Sequence, residues 1–256
     1  MSSKSSDAKR MIALMDLTRL ESTDAGDERE AEAIQALCQR AETDFGRVAA
    51  VCVHPCWVSL ADRSLKEFGS RAAVRLATVA NFPAGRACAE ETVAEIAASI
   101  DHGADEIDVV LPWPALLEGD IETVQKLLLA SRRACSSHRL KVILETGKLA
   151  DVALIRQAAE IALACGADFL KTSTGKVAVN ATPAAATILL EVIRESGREV
   201  GFKASGGLRT LEDAAAYLIL AEQMMGSDWV DAEHLRFGAS SLLDDLLRHA
   251  QGTAPQ

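Results

Sequence analysis

Six charged side chains interrupt short apolar segments, and their types point to proton transfer and amine chemistry: Asp16, Asp108 and Glu145 against Lys141, Lys171 and Lys203. Side chains on a β-strand alternate between its two faces. In Glu106–Leu111, residues Ile107, Val109 and Leu111 share one face and Asp108 takes the other. Lys171 faces away from Leu170 and Thr172, and Lys203 away from Phe202. Asp16 lies opposite Met15 and Leu17, and Lys141 and Glu145 lie opposite Val142 and Leu144. Enclosed charges must pair or change protonation state, because burying one alone is costly. An ordinary lysine is a poor nucleophile, with about one amine in 10³ to 10⁴ unprotonated at neutral pH. Desolvation and a second lysine nearby both disfavour the charged form. Lowering the pKa to about 7 would raise the free-amine fraction roughly a thousandfold. Such an amine can form a Schiff base with a carbonyl.

Three Gly/Ser/Lys elements follow the last three strand-like segments. They are Thr172-Ser173-Thr174-Gly175-Lys176, Ser205-Gly206-Gly207 with Arg209 beyond it, and Gly238-Ala239-Ser240-Ser241. Glycines let backbone N–H groups approach an anion, and a helix N-terminus adds donors and a favourable dipole. Any one of these elements alone reads first as a turn or cap. All three at neighbouring strand ends point to a phosphate site. The histidines, at 54, 102, 138, 234 and 249, form no HxH or HxxxH pair. His54 with Cys52 and Cys56 is the one suggestive cluster, and its spacing is unusual for a closed zinc site, so no metal is expected.

The elements that must carry these residues recur along the chain. Strands are expected at Leu14–Thr18, Ala49–Val53, Val74–Val79, Glu106–Leu111, Lys141–Thr146, Phe169–Ser173, Val200–Ala204 and Arg236–Ala239. Amphipathic helical patterns lie between them, for example Val93, Ile96, Ala97 and Ile100 at i, i+3, i+4 and i+7. Thr182-Pro183 reads as a cap with proline at the first helical position, and Thr210 with Asp213 as a capping box. Eight strand–helix units predict an α/β protein, a single (β/α)₈ TIM barrel. An open doubly wound sheet is the alternative, but no GxGxxG is present. Gly175-Lys176 does not complete a phosphate loop, because position 170 is Leu and position 177 Val. An internal echo pairs Gly103-Ala104-Asp105 with Gly166-Ala167-Asp168, each five residues before a charge, Asp108 or Lys171. The expected organisation is a flexible extension at 1–10, a barrel at 11–250 and a flexible tail at 251–256.

Composition sets the outer limits. The chain has 256 residues, 49% of them apolar and 25% charged, which excludes a wholly disordered or collagenous protein. A net charge of −10 argues against a general nucleic-acid binder, so an anionic ligand must be met by a local positive cluster. No apolar run approaches the length of a membrane span. The six cysteines form no CxxC pair and read as reduced thiols in a cytoplasmic protein.

The segments Ala167–Lys176 with Asn180-Ala181-Thr182-Pro183, Leu14–Thr18, Asp105–Val110, Val200–Gly207 and Arg236–Ser241 closely resemble the deoxyribose-phosphate aldolase family. The likeness runs over about residues 11–248. It implies a class I aldolase that reversibly cleaves 2-deoxy-D-ribose 5-phosphate to D-glyceraldehyde 3-phosphate and acetaldehyde. By motif match Lys171 is the Schiff-base lysine, Lys203 the lysine that keeps it unprotonated, and Asp108 a proton-relay acid acting through water. Asp16, Lys141 and Thr18 are supporting residues. Gly175, Lys176, Gly206, Gly207, Gly238, Ser240 and Ser241 match phosphate-binding positions. No cofactor is implied. The expected partners are the sugar phosphate and acetaldehyde, with no nucleic acid or membrane, and a homodimer or other homo-oligomer. The chain departs from those family members that end in tyrosine: its one tyrosine, Tyr217, falls within an expected helix. Another Schiff-base sugar-phosphate aldolase and a non-catalytic sugar-phosphate-binding barrel are the competing readings.

Overall fold

The computed structural model describes residues 3–253. Among them, parallel strands β1 (Met15–Arg19), β2 (Ala50–Val53), β3 (Arg75–Ala80), β4 (Glu106–Val110), β5 (Arg139–Ile143), β6 (Phe169–Lys171), β7 (Gly201–Ser205) and β8 (Leu235–Ala239) form one closed barrel. Each strand pairs with the next in sequence, and β1 pairs with β8 to close the ring. This is a single (β/α)₈ TIM barrel. All eight expected strands are present, with ends displaced by up to three residues.

The outer strand residues Met15, Leu17, Val51, Ile107, Val142, Leu170 and Phe202 are fully buried under the surrounding helices. Local signals set several helix starts. Asp27 caps α2 (Glu28–Gln39) by accepting from Arg29 and Glu30 N–H, and Thr182 caps α7 (Pro183–Ser196). Thr210 and Asp213 form the expected capping box of α8 (Leu211–Met225), on which Tyr217 is buried.

The Gly-Ala-Asp echo is a repeated clamp. Arg71 donates to Gly103 O and Asp105, and Asp105 accepts Leu76 N–H at 2.7 Å. Arg132 donates to Gly166 O and Asp168, and Asp168 accepts Leu140 N–H at 2.7 Å. Each clamp ties a strand start to its neighbour at the N-terminal end of the barrel.

Two expectations are corrected. Residues 3–10 of the expected extension are not frayed but begin helix α1 (Ser3–Ala13), with Ala8, Met11 and Ile12 buried against α9 (Leu242–Gln251). Their i, i+3, i+4 spacing gives a short apolar stripe within a polar segment. Lys4 pairs with Glu212, and Ser5 donates to Ala250 O. At the other end α9 continues to Gln251 and stops at Gly252 in the left-handed region; 1–2 and 254–256 of the expected extensions lie outside the described residues. Glu145 is not a strand residue. The chain leaves β5 at Ile143, and Glu145 takes a left-handed conformation (φ 57°) before a helical turn, Thr146–Leu149. The next loop dictates this turn: Thr146 N–H donates to Thr172 O, and the Glu145 carboxyl accepts from Thr174.

Candidate active site

The lumen divides into an apolar and a charged half. Short side chains of β2 and β3, Ala50, Cys52, Ala77 and Val79, form a wall closed above by Leu20 and Phe82. The other strands project charges. Asp16, Asp108, Lys141 and Lys203 are fully buried, and Lys171 nearly so.

Asp108 is the hub. Its Oδ2 accepts from Lys171 Nζ at 2.8 Å and from Lys203 Nζ at 2.7 Å, and its Oδ1 from Lys141 Nζ at 2.8 Å. Lys203 also lies 2.5 Å from Asp16 Oδ2. Beneath them are two buried charges that the sequence reading left out. Glu106 lies 2.6 Å from Lys141 Nζ, and Arg236 is shared between Asp16 at 2.6 Å and Glu106 at 3.2 Å. Both obey the same alternation: Glu106 shares a face with Asp108 on β4, and Arg236 with Gly238 on β8. They go uncounted in the sequence reading, although the alternation used there on these strands reaches both.

The three lysines have different fates. For Lys171 burial is the largest influence and disfavours the ammonium; Asp108 opposes this, Lys203 adds to it, and the amine falls below its ordinary value of 10.5. For Lys203 burial acts the same way, but Asp108 and Asp16 together outweigh it and hold the ammonium. Lys141 is likewise held charged by Asp108, Glu106 and Asp16 against burial. Burial would protonate Asp108, yet Lys141, Lys171 and Lys203 keep it well below the ordinary carboxylate range. Asp16 is lowered in the same way by Lys203, Arg236 and Lys141 against the effect of burial. Lys171 is thus the one lumen lysine shifted toward its free amine. Its contact with Asp108 is direct, at 2.8 Å.

Above Lys171 the chain opens into a hollow of about 190 Å³ at the C-terminal mouth of the barrel. It gathers all seven expected anion-site residues: Gly175 and Lys176 after β6, Gly206 and Gly207 after β7, and Gly238, Ser240 and Ser241 leading into α9. Thr18 joins them from β1. Gly206 is required twice over, by φ +85° and because a Cβ there would stand 2.8 Å from Asn180. At Gly238 a Cβ would stand 2.9 Å from Lys203 Cε, so the missing side chain makes room for that lysine. Lys176 points across the hollow to Glu21, 4.0 Å away. Glu145 stands at this mouth, buried, with Thr174 Oγ1 donating to it at 2.6 Å. Burial raises its pKa despite the Thr174 bonds.

Cys52, His54 and Cys56 do not converge: Cys52 faces the lumen, His54 packs edge-on against Phe82, and Cys56 is exposed. All six thiols are free, and burial pushes that of Cys52 up. A larger cavity, about 400 Å³, lies at the opposite mouth among Arg75, Arg139, Glu233 and His234. A buried layer of Phe169, Glu106 and Arg236 lies between it and the lysines. The Phe169 ring fills the space of a side chain at Gly201, where a Cβ would meet it at 2.3 Å. The Arg139 and Arg236 guanidinium groups stand 5.4 and 5.7 Å from its centre. Barrel enzymes place their chemistry at the C-terminal mouth, where the hollow and Lys171 lie.

A parallel barrel with a buried lysine, its pKa lowered, against a buried carboxylate is a framework for carbonyl chemistry. The chain belongs to the DeoC/LacD family of aldolases, whose family model matches residues 10–248. It is therefore an aldolase, a carbon–carbon lyase. A solved structure from Coccidioides immitis, provisionally assigned as a deoxyribose-phosphate aldolase, is 30% identical, with a TM-score of 0.79, and the match covers 93% of this chain and 85% of that one. Deoxyribose phosphate aldolase from Aeropyrum pernix, described as a unique tetramer, is 25% identical with a TM-score of 0.74, over 97% and 98% of the two chains. A structure from Toxoplasma gondii with the same provisional assignment has a TM-score of 0.88 at 23% identity, over 98% and 96%, a likeness of fold. Among the described residues no helix is long and apolar enough to cross a membrane.

Proposed function

We propose that this aldolase cleaves 2-deoxy-D-ribose 5-phosphate reversibly to D-glyceraldehyde 3-phosphate and acetaldehyde through an imine on Lys171. The observation that carries the reading is the Lys171 amine: buried, below its ordinary pKa, 2.8 Å from Asp108 and beneath a glycine- and serine-lined hollow. The free amine adds to the C1 aldehyde to give a carbinolamine. Loss of water leaves the iminium, which is the electron sink. Removal of the C3 hydroxyl proton breaks the C2–C3 bond, releases glyceraldehyde 3-phosphate and leaves an enamine. Protonation at C2 and hydrolysis free acetaldehyde and regenerate the amine. Asp108 is the group placed to move these protons, held ionised by Lys141 and Lys203.

The phosphate rests on the N–H groups of Gly206, Gly207, Ser240 and Ser241 with Lys176 as counter-charge. The apolar wall of Ala50, Cys52, Ala77 and Val79 favours a deoxygenated C2, because a hydroxyl against it would lack a partner. The free thiols suit a reducing compartment, and we place the enzyme in the cytoplasm, as a homo-oligomer, in the breakdown of deoxyribonucleotide sugars. Borohydride added with acetaldehyde is expected to leave a two-carbon adduct on Lys171, seen by peptide mass spectrometry, with loss of activity. Full trapping at another lysine, with Lys171 unmodified, overturns the assignment. A substrate panel separates this reaction from that of a related aldolase, since preference for a 2-hydroxylated sugar phosphate contradicts it.

A further inference from the structure

We propose that Arg236 is a positioning residue for the imine chemistry: buried beneath the lysines and answered by Asp16 and Glu106, it supplies the third positive charge that leaves Lys171 no carboxylate requiring its proton. The inference deepens the proposed function, since it concerns the same amine, but its readout needs no turnover.

The lumen's buried acids are Asp16, Glu106 and Asp108, and its buried bases are Lys141, Lys171, Lys203 and Arg236. Arg236 cannot discharge. Lys203 touches two carboxylates, at 2.5 and 2.7 Å, and Lys141 lies within ion-pair distance of three, at 2.6, 2.8 and 3.7 Å. Lys171 touches only Asp108, which two other ammonium groups already engage. Three acids therefore balance three bases, and Lys171 is the base in excess.

The other titratable neighbours leave this balance intact. Cys52, from β2, is a buried thiol whose neutral form burial favours. Glu145, beyond β5, has no cation within ion-pair distance among the described residues, and burial favours its protonated form. His54, at the end of β2, is shifted toward its neutral form mainly by burial. Arg139 reaches Glu106 at 3.3 Å from the rim, but Glu233 pairs with it there.

Removing Arg236 leaves three acids against Lys141 and Lys203, and Lys171 must take up a proton to restore neutrality. The prediction is read by competitive acetylation with acetic anhydride across pH, quantified on the Lys171 peptide. Only a free amine reacts. For Arg236→Met the Lys171 labelling rate near pH 7 is expected to fall by about tenfold, the order expected for one buried charge. Arg236→Lys, which keeps the charge, restores most of the rate. Glu106→Gln is expected to move the labelling profile the opposite way, to lower pH. The double variant Arg236→Met with Glu106→Gln removes one charge of each sign and returns the profile to that of the unmodified chain. Where Arg236→Met alone does not fold, the Glu106→Gln and double variants carry the test. A Lys171 profile unchanged in a folded Arg236→Met protein overturns the inference, as does one displaced in the same direction by Arg236→Met and Glu106→Gln. A failed borohydride trap at Lys171 overturns the proposed reaction without touching these profiles.

Discussion

Exchange of Lys171 or Lys203 for methionine separates a lysine kept for chemistry from one kept for structure. Both are buried at nearly the same depth, and both donate to the same oxygen of Asp108. By contact alone they should be equally costly to lose. The charge count says otherwise. With Lys171 neutral, Asp16, Glu106 and Asp108 are balanced by Lys141, Lys203 and Arg236. Lys171→Met removes no charge, fills a similar volume, and should alter stability by no more than about 1 kcal/mol. Lys203→Met strips Asp16 and Asp108 of a shared counter-ion. Breaking a buried pair costs about 3–5 kcal/mol, and about 3 is expected because Lys171 can take up the missing charge. At about 2–4 °C per kcal/mol, Lys203→Met should melt roughly 6–12 °C lower and Lys171→Met within about 4 °C of the unmodified chain. Differential scanning calorimetry at pH 7.5 with urea titration measures both, alongside aldehyde release. Both variants should be inactive, the first for want of a nucleophile and the second because Lys171 is protonated. Equal destabilisation by the two would show Lys171 to be a paired ammonium in the resting protein and would refute the free-amine reasoning.

Further expectations concern pH and the anion hollow. Since the Lys171 amine titrates below its ordinary 10.5, activity should fall as pH drops through that lowered value, and Arg236→Met should move the fall to higher pH in a kcat profile. Asp108 and Asp16 are held below the ordinary carboxyl value of 3.8. The stability their ionisation supplies is therefore complete above about pH 5 and is lost progressively as pH falls below about 4 toward the lower folded values. Denaturation midpoints from pH 7 to 3 should show a smaller acid loss for Asp108→Asn than for the unmodified chain. Gly206→Ala places a methyl 2.8 Å from Asn180 at φ +85°. It should raise KM for 2-deoxyribose 5-phosphate about tenfold or more while leaving KM for unphosphorylated 2-deoxyribose nearly unchanged. An equal rise for both sugars would move the phosphate elsewhere.

Much of this arrangement is legible from two-residue alternation, because a parallel barrel makes one face of every strand interior. Asp16, Asp108, Lys141, Lys171 and Lys203 were placed in the lumen by that rule alone, and the structure puts them there. The rule reached less far at strand ends. Glu106 and Arg236 occupy interior positions, but only the closed ring shows that strand starts can be as buried as strand centres. Glu145 carried no local signal, since a left-handed non-glycine residue is held by its bonds to Thr174, which lies 29 residues away. Helix α1 was hidden by its polar composition. Its few apolar residues matter only once α9, from the far end of the chain, lies beside them.

The Phe169 ring seated over Gly201 has a consequence for traffic. With the buried Glu106 and Arg236 beside it, the ring closes one end of the barrel, so the lysines sit in a flask whose neck is the C-terminal hollow. In the proposed reaction, substrate, both aldehyde products and the water shed on imine formation would all use that neck.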